Sequence, residues 1–294
     1  GGFCSADFTH GFPNSLRHFR REAAQLDRLG EESFRELLAF IRDHDIECEL
    51  VESGTMQLAQ NDLQAREIAG TVAEMEQYGV PGRMLEGEEL HSQIESPAWV
   101  AGLAMPPSRA VVLNPLKLAR GLARVARERG VRIHTHSPVT RLDRTEDGVE
   151  LETPAGYLRA RHVIVATSAY SGWLPSLRKW FAPVYDYLMV SDPVDPARLD
   201  AAGLRSLRGF TEASNQFHYF RRMPDDRILW GGYDAIHHFG SRVGPRYDYR
   251  AETFERLQRN FANAFPDLAD VEFPYRWGGS IDTTTKFVVT FGRL

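Results

Sequence analysis

Cysteine is nearly absent from this sequence of 294 residues, which carries only Cys4 and Cys48. Two thiols with neither paired metal-ligand spacing nor the density of a secreted framework exclude a disulfide-stapled fold, and both are expected to be free in a reducing compartment. Long apolar runs are missing as well. None approaches the roughly 20 residues that cross a bilayer, and Gly1 to His10 lacks a basic-then-apolar leader, so a cytoplasmic protein without a membrane partner is expected. Positive charge is not in excess, since 35 Lys+Arg stand against 40 Asp+Glu for a net charge of −5. Phosphate binding needs a concentrated basic surface, and here the signs are interspersed; nucleic acid is not an expected partner. Lysine is confined to Lys117, Lys179 and Lys286, a bias for which a GC-rich genome is sufficient explanation.

Several chemical signatures are also absent. No G-x-S-x-G or P-loop occurs, which removes the usual support for acyl and phosphoryl transfer. No metal is expected: His237 and His238 are adjacent and would point to opposite faces of a strand, and His10, His134, His136 and His162 show no ligand spacing. The dinucleotide fingerprint G-x-G-x-x-G is missing too. Finally, Gly1-Gly2-Phe3-Cys4 contains no initiator Met and reads like the inside of a domain, so the chain is expected to be truncated.

What is present is a change of pattern along the chain. Ser15 is positioned to cap a helix whose apolar positions, Leu16 to Ile41, recur at three and four, with Gly30 as a possible bend. Ile46–Val51 and Thr55–Ala59 alternate around Glu52-Ser53-Gly54 and predict a hairpin. Asn61 or Asp62 caps a helix to about Tyr78, a short helix follows around residues 87–93, and Asn114-Pro115 opens another that stops at Gly130. Strands are predicted at Val131–His134, Val139–Leu142, Val149–Thr153 and His162–Thr167. The last is apolar on consecutive residues, as in a strand covered on both faces. Its end turns small at Ala166-Thr167-Ser168-Ala169, which suits either a flat cofactor approaching the backbone or a tight turn capped by Ser168. Beyond Pro175 long strands dominate: Pro183–Val190, Phe217–Arg222, Arg227–Tyr233, Glu272–Ile281 and Phe287–Phe291, with one helix over Ala251–Phe265. Gly231-Gly232 and Gly278-Gly279 lie inside such runs, where glycine serves packing or a close backbone approach. The aromatics Phe217, Tyr219, Phe220, Trp230, Tyr233, Tyr275 and Trp277 fill a core or wall a pocket for an amine.

Four segments together resemble the FAD-dependent D-amino-acid-oxidase-like family, whose members include glycine oxidase, sarcosine oxidase and gamma-glutamylputrescine oxidoreductase. They are Gly1-Gly2-Phe3-Cys4, the block from Ala110 through Pro138-Val139-Thr140 to Tyr170, the run Arg227 to Tyr233, and Trp277-Gly278-Gly279. The resemblance implies a mixed α/β (α+β) architecture, an incomplete FAD/NAD(P)-binding Rossmann-like domain with an inserted antiparallel-sheet substrate domain. Residues 1–45 and 105–180 would be part of the FAD-binding domain, 46–104 and 181–275 the substrate or cap domain, and 276–294 a return to the FAD domain. It implies that Gly1 and Gly2 lie near the flavin ring, that Val139 contacts the adenine through its backbone, and that Ala166 and Thr167 pass the ADP moiety. Phe3, Ser168, Trp173 and Gly279 complete the implied cofactor contacts.

The family places its G-x-G-x-x-G before the point where this chain begins and its flavin-closing loop after Leu294, so a chain cut at both ends is implied. Amino-acid-specific members carry an arginine four residues after the tryptophan of the last motif; here that position is Ile281, and the pattern is more like the gamma-glutamylputrescine branch. No lysine occurs on the Arg227–Tyr233 strand, which leaves oxidase and dehydrogenase both open. The implied activity is oxidation of a C–N bond of an amine or amino-acid derivative by hydride transfer to flavin N5, followed by imine hydrolysis, with Tyr233 and Trp277 facing the substrate. The alternative from another class is a flavin-free fragment or a binding or assembly module of a split enzyme.

Overall fold

The computed structural model describes residues 1–293. In chain order its elements are β1 (Phe3–Ser5), α1 (Gly11–Phe19), α2 (Ala23–Asp43), β2 (Thr55–Ala59), α3 (Asp62–Gln77), β3 (Arg83–Glu86), α4 (Gly87–His91), β4 (Ala101–Met105), β5 (Ala110–Val112), α5 (Pro115–Glu128), β6 (Arg141–Thr145), β7 (Gly148–Thr153), β8 (Gly156–Ala160), β9 (Ala182–Val190), α6 (Pro196–Ala201), β10 (Gly209–Glu212), β11 (His218–Arg222), β12 (Ile228–Gly232), α7 (Ala251–Ala264) and β13 (Tyr275–Thr283). Eight strands form one sheet in the order β13-β9-β12-β11-β10-β2-β4-β3, β6-β7-β8 form a separate meander, and β1 pairs with β5. Every pair in the large sheet is antiparallel except β10 with β2.

Period-two alternation decides which way each strand of the large sheet faces. Tyr185, Tyr187 and Met189 of β9, Trp230 of β12, and Phe210 and Phe220 are buried on one side with Phe254, Leu257 and Phe261 of α7. Burying each of these large side chains stabilises the fold by roughly 1.5–3 kcal/mol. On the other side, the β2-β4-β3 end is covered by α3 and Phe12 of α1, which pack on Ala59, Ala101 and Leu103. A second cluster joins α2 to β5 and α5 through Phe34, Leu38, Ile41, Val111 and Val125.

Local signals set several boundaries. The Asn61 side chain accepts from Gln64 N at 3.1 Å, and Asn114 accepts from Lys117 N at 3.2 Å with Pro115 in the first turn, so both helices begin where their caps predict. The single helix expected from Ser15 is instead two, broken between Phe19 and Ala23, and it is Gly11 that begins the first. Gly30 stays helical; an added Cβ there would lie 2.1 Å from the Ala6 carbonyl oxygen, so the glycine admits a neighbouring backbone and does not bend the helix.

The hairpin over 46–59 does not form. β2 pairs with β4 and β10, while Ile46 and Cys48 are buried in the second cluster and Glu49 turns to φ 52°, which breaks an extended run. The strands predicted at 131–134, 162–167 and 287–291 are also not formed. An apolar run makes a buried strand only where neighbours ladder with it. Among the described residues none pairs with 162–167, and Ile164 is 91% exposed. At the other end β13 pairs with β9 over its whole length to Thr283, so the large sheet extends past the boundary expected at 275. No helix among the described residues is long and apolar enough to cross a membrane.

Candidate active site

The face of the large sheet opposite α7 carries its residues in cross-strand rows. Register aligns Trp277, Leu188, Gly231 and Tyr219 in one row and places Asp186 opposite Gly279 in the next. Glycine at 231 is required by the row itself: a Cβ there would stand 2.6 Å from Leu188 Cβ and 2.9 Å from Tyr219 Cζ. The Tyr219 ring uses that gap to cross β12, and its Oη donates to Asp186 Oδ2 at 2.7 Å. Asp186 Oδ1 accepts from the Tyr187 backbone N–H at 2.9 Å. The carboxylate is thus oriented from two sides.

The opening residues pack against this face. Phe3 sits edge-on to Tyr219, with ring centroids 6.3 Å apart, and its ring fills the space above Gly209, where a Cβ would be 2.4 Å from Phe3 Cε1. Leu113 N donates to the Gly2 carbonyl at 2.8 Å. Gly2 has φ +85°, and a Cβ on it would meet the Leu113 carbonyl oxygen at 2.1 Å, so only glycine fits. The Arg221 side chain lies under Gly2. Its Nη2 donates to Leu113 O at 3.1 Å, while Nε and Nη1 are buried without a partner.

Burial governs the electrostatics here. Desolvation raises the Asp186 carboxyl above its ordinary value of 3.8, opposed by the Tyr219 hydrogen bond. Desolvation, followed by the adjacent carboxylate, raises the Tyr219 phenol well above 10.0. Tyr219 is therefore a hydrogen-bond donor throughout the physiological range. Burial lowers Arg221 from its ordinary value. The thiol of Cys4 is pushed up by burial, which leaves it a poor nucleophile.

The sequence-predicted residues divide. Gly1, Gly2, Phe3, Trp277 and Gly279 gather at this face: Gly1 lies within electrostatic reach of Asp186 and Arg221, Trp277 is 44% exposed, and nothing lies within 4 Å of the position a Gly279 Cβ would take. Ser168, at φ 46°, donates through Oγ to Oδ1 of Asp282 at 3.1 Å; Asp282 alternates with Gly279 and Ile281 on β13 and so lies on the other face. Ala166 and Thr167 are exposed, and the Thr167 hydroxyl is hydrogen-bonded to Ser171 Oγ at 2.8 Å at the start of the 3₁₀ turn Ser168–Trp173. Val139 precedes the separate meander. Tyr233 lies elsewhere: its ring stacks on His218, centroids 5.0 Å apart, and packs with the α7-side core because β12 ends at Gly232 and the chain turns at φ 67°.

Asp186 and Arg221 escaped the sequence reading, and Tyr219 entered it only as one of the aromatics that fill a core or wall an amine pocket. One signal was available for the first, a lone acid in the otherwise apolar alternation of Pro183–Val190. Nothing local marks Tyr219 or Arg221, since their importance depends on what lies across β12 and beneath Gly2.

One face of the sheet is thus sealed by α7 at its β9-β12 part, and the opposite face carries the Asp186 carboxylate, the Tyr219 phenol and the Trp277 indole, with Phe3 of the Gly1-Gly2 segment packed on Tyr219. Residues 3–293 match the family model described as FAD dependent oxidoreductase, and the chain belongs to that family. It is 25% identical over 268 residues to the probable oxidoreductase OrdL of Rhizobium meliloti (strain 1021), covering 90% of this chain and 59% of that protein. It is 28% identical over 262 residues to gamma-glutamylputrescine oxidoreductase of Escherichia coli (strain K12), covering 86% and 57%. Among solved structures, glycine oxidase from Geobacillus kaustophilus shares the fold with a TM-score of 0.76 at 19% identity, over 92% of this chain and 70% of that one. The chain thus spans less than two thirds of the length of the curated relatives it matches.

Proposed function

We propose that this chain is the greater part of an FAD-dependent enzyme of the cytoplasm that oxidises a C–N bond of an amine or amino-acid derivative to an imine, which water then hydrolyses. The observation that carries the reading is the placement of Gly1 and Gly2 beneath the Asp186–Tyr219 face, a bare backbone opposite polar side chains. The residues present fit the cofactor: Gly2 offers backbone without a side chain, Gly279 leaves open space where a Cβ would stand, and the guanidinium of Arg221, two of whose nitrogens are unpartnered, lies against Gly2. Gly1, Gly2, Phe3 and Gly279 would hold the flavin end, and Ala166, Thr167, Ser168 and Trp173 with Val139 the nucleotide end. When bound, FAD supplies the hydride acceptor at its N5. The chain supplies orientation, a surface that excludes water, and control of the amine's charge. Trp277 faces the substrate as an apolar wall. We assign the tyrosine of this face to Tyr219 in place of Tyr233. Residues 1–45 and 105–180 belong to the FAD-binding part and the large sheet to the substrate part.

The test is the visible spectrum of the full-length protein followed by anaerobic addition of amines and amino acids. A yellow protein whose flavin resists dialysis and is bleached by such a compound supports the reading; a flavin that none of them bleaches overturns it. The second reading, a flavin-free module of a split enzyme, is favoured by the unladdered apolar segment 162–167. It requires a colourless protein.

A further inference from the structure

Asp186 is a carboxylate with acceptor capacity to spare and no cationic side chain to meet it. An ionised carboxylate offers about four lone-pair sites, and Asp186 uses one on each oxygen, for Tyr187 N–H and Tyr219 Oη–H. Among the described residues no arginine, lysine or histidine side chain acts on its charge; the groups felt there are the Tyr219 hydroxyl, the Tyr187 amide and the nitrogen of Gly1. The strand residues flanking it on its face of β9 and β13 include Val184, Leu188, Trp277, Gly279 and Ile281, and every residue of that face on the two strands apart from Asp186 is uncharged. The nearest guanidinium on this face, Arg221, is 2% exposed under Gly2. Open space lies directly across from the carboxylate at Gly279, bounded on one side by the exposed Trp277.

A desolvated carboxylate that no cationic side chain meets is costly, and a ligand cation offsets that cost where an anion adds to it. The neighbouring indole and aliphatic groups favour the same ligand, since a cation carrying an alkyl chain gains both cation–π attraction and apolar burial. We propose that Asp186, held in place by Tyr219, binds the ammonium group of the substrate, so that the enzyme selects alkylammonium compounds and needs no α-carboxylate. Desolvation that raises the carboxyl's pKa agrees with a group built to receive positive charge. This assignment rests on the flavoenzyme reading for the words "substrate" and "enzyme", but not for the binding of the cation.

The test uses the full-length, FAD-loaded protein and tert-butylammonium, which has no hydrogen on the carbon bearing nitrogen and so cannot be oxidised. Calorimetry is expected to show that it binds and that acetate does not. Asp186→Asn is expected to weaken that binding about ten- to a hundredfold, the loss of a hydrogen bond to a charged group, at unchanged flavin content. Tyr219→Phe, which frees the carboxylate without discharging it, is expected to weaken it by less. With n-butylamine as reductant, Asp186→Asn raises KM by a similar factor, and glycine is the poorer substrate. Unaltered tert-butylammonium affinity in Asp186→Asn overturns the proposal, as does a variant that loses flavin while keeping the cation, or acetate binding more tightly than the amine. If no amine or amino acid bleaches the flavin, the catalytic reading fails by itself, and the calorimetry still decides the role of Asp186.

Discussion

The Tyr219 hydroxyl reaches Asp186 by passing over a residue that must be glycine. Tyr219 and Asp186 stand on strands that are not neighbours, with β12 between them, and the 2.7 Å hydrogen bond closes across Gly231. The site's polar geometry is therefore set by a gap in the sheet surface.

That dependence is open to a steric test. Gly231→Ala sets a methyl group 2.6 Å from Leu188 Cβ and 2.9 Å from both the Tyr187 carbonyl oxygen and Tyr219 Cζ, so something must shift. Overpacking of this kind costs about 1–3 kcal/mol, and a lowered Tm is expected. Gly279→Ala meets nothing within 4 Å and is expected to change stability by no more than about 0.5 kcal/mol, while reducing room for the ligand. Equal Tm losses in the two variants would contradict the geometry.

A second test concerns pH. Asp186 is raised above 3.8 by burial, so its ionisation favours the unfolded state: the group's contribution to stability is complete below that value and is lost as pH rises through the folded-state pKa. Asp186→Asn is therefore expected to have the higher Tm at pH 7, with the difference from the parent narrowing as pH falls toward 3.8. Thermal melts across that range check both the sign and the trend.

Arg109 anchors the segment that follows β1, its carbonyl accepting from the Ala6 backbone N–H at 2.9 Å. It is fully buried and binds Asp7 Oδ1 at 2.6 Å, Glu31 Oε1 at 2.9 Å, and Asp27, joining the loop after β1 and helix α2 to the start of β5. Arg109→Met leaves three carboxylates facing one another without a cation and is expected to cost about 3–5 kcal/mol in urea unfolding. A loss below about 1 kcal/mol, the level of an exposed pair, would refute that account.

Tyr233 provides a contrast within the aromatic cluster. Its ring stacks with His218, which also stacks on Trp230 and is hydrogen-bonded through Nδ1 to Glu212 at 2.7 Å. Tyr233→Phe keeps the stack and is expected to leave KM and kcat unchanged in the full-length enzyme, whereas Tyr219→Phe changes KM.

Amino-acid order by itself determined the elements whose stabilising interactions are local. Asn61 and Asn114 start their helices wherever the chain goes, because the capping oxygen and the amides it serves are three residues apart. Alternation in Pro183–Val190 and Arg227–Tyr233 likewise fixed two strands and sent Tyr185, Tyr187 and Trp230 to the core. The family resemblance was legible on the same grounds, since its motifs are short runs. Only the tertiary structure decided the rest. Thr55–Ala59 paired with β4 and β10 because Ile46 and Cys48 found a better burial against α2 and α5, and an apolar strand at 162–167 formed no ladder because strand hydrogen bonds need a partner that spacing along the chain does not specify. Asp186 and Tyr219 are 33 positions apart, and the chemistry between them exists only because three strands align at Gly231.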